Sequence, residues 1–113
     1  MSVWYGGRLF KPVSASDGSQ TNSETIFKYE QRDDLVTATY SGGDIEYGQI
    51  IGLVDETGIL RMRYQHLDVY GDFRTGICLT KPEILPGNKL RLHESWQWTA
   101  PDNARGTSIL EEI

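Results

Sequence analysis

The chain has 113 residues, a formal net charge of −5 and a single cysteine, Cys78. This length provides one hydrophobic core, so we expect a single domain over residues 1–113. The acidic balance argues against non-specific binding to nucleic acid or anionic lipid, which needs a basic surface. A lone thiol forms neither an internal disulfide nor a multi-cysteine metal site, which favours a cytoplasmic location. We expect neither a signal peptide nor a membrane span, because no apolar run is long enough.

The chain alternates strand-like runs with turn residues from Glu24 to its end. Residues 1–23 contain one short predicted strand, Arg8–Val13, and a polar loop, Ser14–Ser23. The connections are short and favour antiparallel neighbours, because a parallel crossover needs about a dozen residues or more. The predicted strands of this meander, which covers residues 24–113, are 24–31, 34–41, 44–55, 59–69, 72–81, 89–99 and 106–113.

Glycine-containing turns set the predicted register of the meander. With Gly42-Gly43 and Tyr70-Gly71 as two-residue hairpin loops, Tyr40 faces Ile45 and Tyr64 faces Ile77. A one-residue slip at any turn would expose the apolar set of one strand. The side chains predicted to face inward are Phe27, Tyr29, Val36, Ala38, Tyr40, Ile45, Tyr47, Gln49, Ile51, Leu53, Leu60, Met62, Tyr64, His66, Phe73, Thr75, Ile77, Leu79, Leu90, Leu92, Glu94, Trp96 and Trp98.

Seven or eight strands without a covering helix must bury one face and remove two edges. Closure does both, and about eight strands leave room inside for side chains or one small ligand. We therefore predict an all-β, antiparallel up-and-down meander of 7–8 strands that closes into a small calycin/lipocalin-like barrel. A sandwich of two sheets is the alternative.

The predicted inner face is unusually polar, and buried polar groups need partners. Glu94 lies between Leu92 and Trp96 on that face, where a carboxylate is costly. It could anchor a ligand or exchange protons with a raised pKa, or a tyrosine or arginine could satisfy it. His66 and Gln49 are predicted cross-strand neighbours, with either a structural or a binding role. The candidate ligand-binding residues are Tyr47, Gln49, Tyr64, His66, Glu94 and Trp96.

No catalytic or metal-binding set is complete in the sequence. His66 shares its predicted face with Asp68, but no serine or cysteine completes a nucleophilic triad, and Cys78 is predicted to point outward. His66 and His93 fall on opposite faces, without close-spaced ligand partners. We therefore expect no metal and no cofactor.

Five basic residues lie on the predicted outer face. They would form a basic stripe on an acidic protein, able to recognise an anionic partner through bidentate arginine contacts. The alternative is a solvated face paired with Asp and Glu. The members of the stripe are Arg61, Arg63, Arg74, Arg91 and His93.

Four segments resemble a family of small bacterial proteins of about this length: Tyr40–Gly43, Met62–His66, Leu92–Thr99 and Ser108–Ile113. Members of that family are often labelled N-acetylglutamate synthase. The resemblance therefore implies an acyltransferase name, but no catalytic residues. The chain lacks the glycine-rich turn opening a helix that common acetyl-CoA-dependent acetyltransferases use at the pyrophosphate.

Three functions remain open at this point. The leading hypothesis is a binding module that holds a small apolar or amphipathic molecule among the tyrosines, Trp96 and Glu94. A small enzyme with Glu94 or His66 as acid or base, including the acyltransferase, is the second. A structural or interaction protein is the third, with a homodimer formed through a sheet face or the C-terminal strand.

Overall fold

The computed structural model describes residues 3–113, which form a closed barrel of eight antiparallel strands. Each strand pairs with its neighbours in the chain, and β1 also pairs with β8. The predicted barrel is therefore confirmed, and the sandwich alternative is wrong. The strands are β1 Arg8–Ala15, β2 Ile26–Arg32, β3 Leu35–Gly42, β4 Ile45–Val54, β5 Leu60–Asp68, β6 Phe73–Ile84, β7 Leu90–Ala100 and β8 Arg105–Glu112.

Helix is nearly absent from the described residues. One 3₁₀ turn, Pro86–Asn88, connects β6 to β7. Nothing in the described part of the chain is a helix of the length and apolar character that a bilayer crossing requires. A site within residues 3–113 is therefore built mainly from strands and loops.

The N-terminal segment closes the end of the barrel that carries the β4–β5 turn. Tyr5 has no accessible surface, and its hydroxyl donates a hydrogen bond to the carbonyl of Gly58. Its backbone N–H donates to Oε1 of Gln31 over 2.7 Å. Burying a large ring in this way removes apolar area from water while the hydroxyl remains paired.

The loop between β1 and β2, residues 16–25, covers the opposite end. The indole N–H of Trp98 donates to the carbonyl of Gly18 over 3.1 Å. Thr25 is fully buried, and its hydroxyl donates to the carbonyl of Gly42 over 3.0 Å. We call residues 16–25 the lid loop.

The predicted pairings at the turns are wrong. Tyr40 pairs with Gly48 rather than Ile45, and Tyr64 pairs with Gly76 rather than Ile77. Gly42 itself pairs with Ile45, so the β3–β4 turn is Gly43-Asp44, and Gly43 has a φ of 63°, a value that glycine adopts without strain.

The predicted strands 24–31 and 34–41 place the β2–β3 turn at Arg32-Asp33, which would pair Phe27 with Ala38. The turn lies one residue later, and Phe27 pairs with Tyr40. This displacement of two residues keeps the same side chains inside, because side chains alternate with period two.

Strand β4 presents the face opposite to the predicted one. Tyr47, Gln49, Ile51 and Leu53 point outward, and Ile50 faces the core. The pairing of β4 with β5 shifts between Ile45 and Tyr47, and a β-bulge of this kind adds one residue and reverses the alternation beyond it. The predicted inward orientation of Tyr47 and Gln49 is therefore wrong.

Strand β6 is reversed as well. Phe73, Thr75, Ile77 and Leu79 point outward, contrary to prediction. Cys78 faces the interior and is only 8% exposed, so its predicted outward orientation is wrong.

Glycines on the inner face explain both reversals. Gly48 is the register partner of Tyr40, and Gly76 is the partner of Tyr64. A Cβ at either glycine would collide with the facing tyrosine ring. Gly106 accommodates the ring of Trp96 in the same way. Aromatic rings lying over glycines of a neighbouring strand are a recognised device for curving and closing a barrel.

Candidate functional site

The barrel contains a cavity of about 50 Å³ next to the lid loop. A water molecule needs roughly 10–15 Å³ measured in this way, so the cavity holds a few waters or a ligand of a few non-hydrogen atoms. Apolar side chains form most of its wall: Phe27, Ile50, Met62, Tyr64, Trp96 and Trp98.

The structure brings four of the six predicted binding residues together at this cavity. They are Tyr64, His66, Glu94 and Trp96. Tyr47 and Gln49 lie outside the barrel, as described above. The predicted pairing of His66 with Gln49 is also wrong, because Gly48 faces His66 and Gln49 faces Gln65.

Glu94 lies on β7 inside the barrel and is 9% exposed. The hydroxyl of Thr80 donates to its Oε2 over a long 3.5 Å. Among residues 3–113, Oε1 has no hydrogen-bond partner, although it retains accessible surface. Neither a tyrosine nor an arginine satisfies this carboxyl.

Burial raises the pKa of Glu94 to about 8, and the bond from Thr80 opposes this increase only in part. An ionised carboxylate in an apolar site is costly, so the neutral acid is favoured. Near pH 7 Glu94 is therefore a carboxylic acid, which both donates and accepts hydrogen bonds.

An aromatic wall faces the same space. The ring centroids of Tyr64 and Trp98 are 5.3 Å apart in an edge-to-face arrangement. Those of Trp96 and Trp98 are 5.9 Å apart. The indole N–H of Trp96 donates to Oγ of Ser108 over 2.7 Å, which fixes its ring. We call Tyr64, Trp96 and Trp98 the aromatic wall.

A chain of hydrogen bonds holds the lid loop over the cavity. Nε2 of Gln20 donates to Oδ2 of Asp68 over 3.1 Å, which turns Oε1 of Gln20 toward Nε2 of His66 at 2.7 Å. His66 must therefore carry its proton on Nε2, and its Nδ1 accepts from the hydroxyl of Tyr40 over 2.8 Å. His66 and Asp68 interact through Gln20 rather than directly.

Burial is also the main cause that lowers the pKa of His66 to about 4. The Arg74 guanidinium adds to this decrease, and Asp68 opposes it. His66 is therefore neutral at pH 7, in agreement with the single N–H that its partners require.

The basic stripe does not form a continuous surface. Arg61 and Arg63 are exposed on the outside of β5. Nε of Arg91 donates to Glu111 over 2.9 Å, and His93 lies 2.8 Å from Glu83, so these two are paired with acids.

Arg74 lies on the inner side of β6, because this strand presents the face opposite to the predicted one. Its guanidinium lies over Trp98, 5.3 Å from the ring centroid, with Nε 3.8 Å from Oδ2 of Asp68. Arg74 thus belongs to the covered end of the barrel and not to the predicted stripe.

The other residues that line the cavity were not predicted as site residues, and Gln20 from the lid loop and Cys78 and Ser108 from the barrel are the polar examples. Gln20 lies in a polar loop, where sequence gives no periodicity from which to place a side chain. In residues 3–113, no group of three or more His, Cys, Asp or Glu side chains could hold a metal ion.

Comparison with known proteins gives one match. A family model described as Avidin-like protein matches residues 3–113. No curated protein and no solved structure matches the chain.

Proposed function

The chain belongs to the Avidin-like protein family, and on that premise we propose that it binds a small molecule inside its barrel. The binding site is the cavity between Glu94, the aromatic wall and the lid loop. One observation carries the proposal: a mostly apolar cavity inside the barrel contains a carboxyl group with an oxygen that has no hydrogen-bond partner within the described part of the chain. Binding pockets commonly combine an apolar lining with a few polar groups that orient the ligand.

The lid loop supports this proposal because a ligand could reach the cavity when the loop moves, while the strands of the barrel stay paired. Gln20 reaches the cavity from the loop and contacts the barrel through His66 and Asp68. Breaking these contacts would free this arm of the loop without disturbing any pairing between strands. A ligand larger than the present cavity would displace Gln20 first.

The acyltransferase alternative has no feature of the described chain to support it. The one helical element in residues 3–113 is the 3₁₀ turn Pro86–Asn88. No helix N-terminus is therefore available to bind a pyrophosphate. We do not propose this activity.

Filling the cavity tests the binding proposal. Protein purified under native conditions would be screened by ligand-observed NMR against a library of fragments with up to about ten non-hydrogen atoms. Ile50→Trp places a large ring in the cavity, whereas Ile51→Trp places the same ring on the outer surface. We expect hits that bind wild type and Ile51→Trp but not Ile50→Trp. Hits that bind all three proteins equally would place binding elsewhere.

A homodimer is a second candidate, and one surface favours it. Ile51 and Leu53 on β4, with Ile77 and Leu79 on β6, are 38–57% exposed and flank the arginines of β5. Strands that are apolar on both faces are typical of sheets covered on both sides. A closed barrel has no free edge, so a second copy would pack on this face. We call these four residues the outer aliphatic patch.

Sedimentation velocity measures this association directly. Ile77→Glu places a charge within the patch, whereas Leu9→Glu places one on the outside of β1, which pairs only with β2 and β8 on the other side of the barrel. We expect a dimer for wild type and Leu9→Glu and a monomer for Ile77→Glu. A wild-type monomer at about 1 mM, a concentration that would populate even a dimer held by about −4 kcal/mol, would exclude the homodimer.

A further inference from the structure

The carboxyl of Glu94 has no positive partner. Among the described residues, neither lysine nor arginine lines the cavity, and His66 is neutral with both ring nitrogens engaged. The contact with Thr80 is long, at 3.5 Å, and leaves Oε1 free. Charged side chains that are this deeply buried are usually paired. The ionised form of Glu94 would therefore need a positive partner that the cavity lining does not supply.

The aromatic wall offers a surface that attracts cations. The faces of Tyr and Trp rings carry negative potential, and aromatic cages recognise ammonium groups for this reason. Tyr64, Trp96 and Trp98 line the space that Glu94 enters. The protein already uses this property at its covered end, where the Arg74 guanidinium lies 5.3 Å from the centroid of the Trp98 ring.

Resting on the proposed function, we propose that the ligand is a small alkylammonium ion, held between the carboxylate of Glu94 and the aromatic wall. Its N–H groups donate to the carboxylate oxygens, and its carbon atoms contact the ring faces. Ser108, the register partner of Glu94, offers a further oxygen as acceptor. An anionic ligand finds no basic group in the cavity and is excluded.

Binding exchanges one proton. In the empty protein near pH 7, Glu94 is a neutral acid, and the ammonium binds the ionised form. The O–H bond of Glu94 breaks, its electron pair stays on the carboxylate, and the proton passes to solvent. The other titratable groups that act on Glu94 or on its surroundings are Tyr5, Tyr29, Tyr40, Tyr64 and Cys78, whose pKa values are all raised by burial. These groups stay neutral, so the exchanged proton comes from Glu94.

Ethylammonium chloride and acetamide are suitable probes, since they are similar in size and differ in charge. Three non-hydrogen atoms bound at the best efficiency of small ligands correspond to a Kd on the order of 1 mM. Titrations to about 100 mM, followed by tryptophan fluorescence and by NMR, cover this range. Sodium chloride at equal ionic strength controls for screening.

We expect ethylammonium to bind and its affinity to rise about 50-fold from pH 6 to pH 8, because Glu94 ionises with a pKa of about 8. Calorimetry at pH 6 in two buffers of different ionisation enthalpy should show about one proton released per bound ion. Glu94→Gln should lower the affinity for ethylammonium at pH 8 by more than about 20-fold. Glu83→Gln, on the outer surface, should change this affinity by less than about twofold.

Two results would overturn the proposal in different ways. If acetamide binds, Glu94→Gln retains it and ethylammonium does not bind, the ligand is neutral and only its assignment as a cation is wrong. If neither probe perturbs the aromatic wall and the fragment screen also finds no hit sensitive to Ile50→Trp, the proposed function is wrong as well.

Discussion

Replacing Glu94 with glutamine should stabilise the protein, by an amount that depends on pH. Folding raises the pKa of this carboxyl from 4.5 to about 8 because burial disfavours its ionised form. Between these values the unfolded chain has lost the proton that the folded chain retains. The free energy of unfolding therefore falls as pH rises through this window. Glutamine has the same shape as the neutral acid and does not titrate.

The magnitude follows from the size of the shift. Each pH unit within the window costs wild type about 1.4 kcal/mol. At pH 7, about 2.5 units above the ordinary value of 4.5, the advantage of Glu94→Gln is about 3 kcal/mol. It is near zero at pH 4 and levels off at about 5 kcal/mol above pH 8. This is a large fraction of the stability of a domain of this size.

Urea unfolding, monitored by tryptophan fluorescence from pH 4 to pH 9, measures the difference directly. Glu83→Gln is an informative control, because hydrogen bonding from His93 lowers the pKa of Glu83. The free energy of unfolding of Glu83→Gln should be lower than that of wild type, and this difference should vanish at low pH, where Glu83 is protonated in both states. A difference between Glu94→Gln and wild type that is constant over the whole pH range would refute the reasoning, because it would mean that Glu94 ionises normally in the folded protein.

Three further predictions concern the lid and the barrel wall. Gln20→Ala removes the link between the lid loop and His66, and should lower the free energy of unfolding by about 1 kcal/mol in urea titrations while accelerating ligand exchange measured by NMR. Because the pKa of His66 is lowered, wild type should lose stability as pH falls from 6.5 to about 4, and His66→Gln should lose this component of the pH profile. Gly48→Ala should destabilise by about 1–3 kcal/mol in thermal or urea unfolding, because the new methyl group meets the Tyr40 ring, and an unchanged midpoint would contradict that packing.

The overall architecture could be predicted because its signals are local and repeated. Short turns between strand-like runs require antiparallel neighbours, and the absence of helices leaves closure as the way to remove edges. The interior position of Glu94 followed from Leu92, Trp96 and Trp98, which share its phase on β7. The opposite phase of β7 holds only polar residues from Arg91 to Thr99, so no apolar residue competes for the interior, and the structure places all four inside.

The faces of β4 and β6 could not be predicted from alternation, because both phases of these strands are apolar. Ile50 and Ile51 are adjacent apolar residues on opposite faces of β4, and Cys78 and Leu79 are on opposite faces of β6. The prediction assigned the phase with the larger side chains to the interior. In the structure the smaller phase is inside, since Gly48 and similar positions leave room for rings from the neighbouring strand. The deciding contact is between strands and cannot be seen within either strand alone.

This choice of phase links the two surfaces that we propose to be functional. With Gly76 and Cys78 inside, the Tyr64 ring lies over Gly76, and the space beside the small Cys78 side chain remains as part of the cavity next to Glu94. With Ile77 and Leu79 outside, the same strand supplies half of the outer aliphatic patch. The opposite phase would fill the cavity with two large side chains and remove the patch. A sequence of this pattern therefore favours both an interior that can hold a ligand and an exterior suited to association.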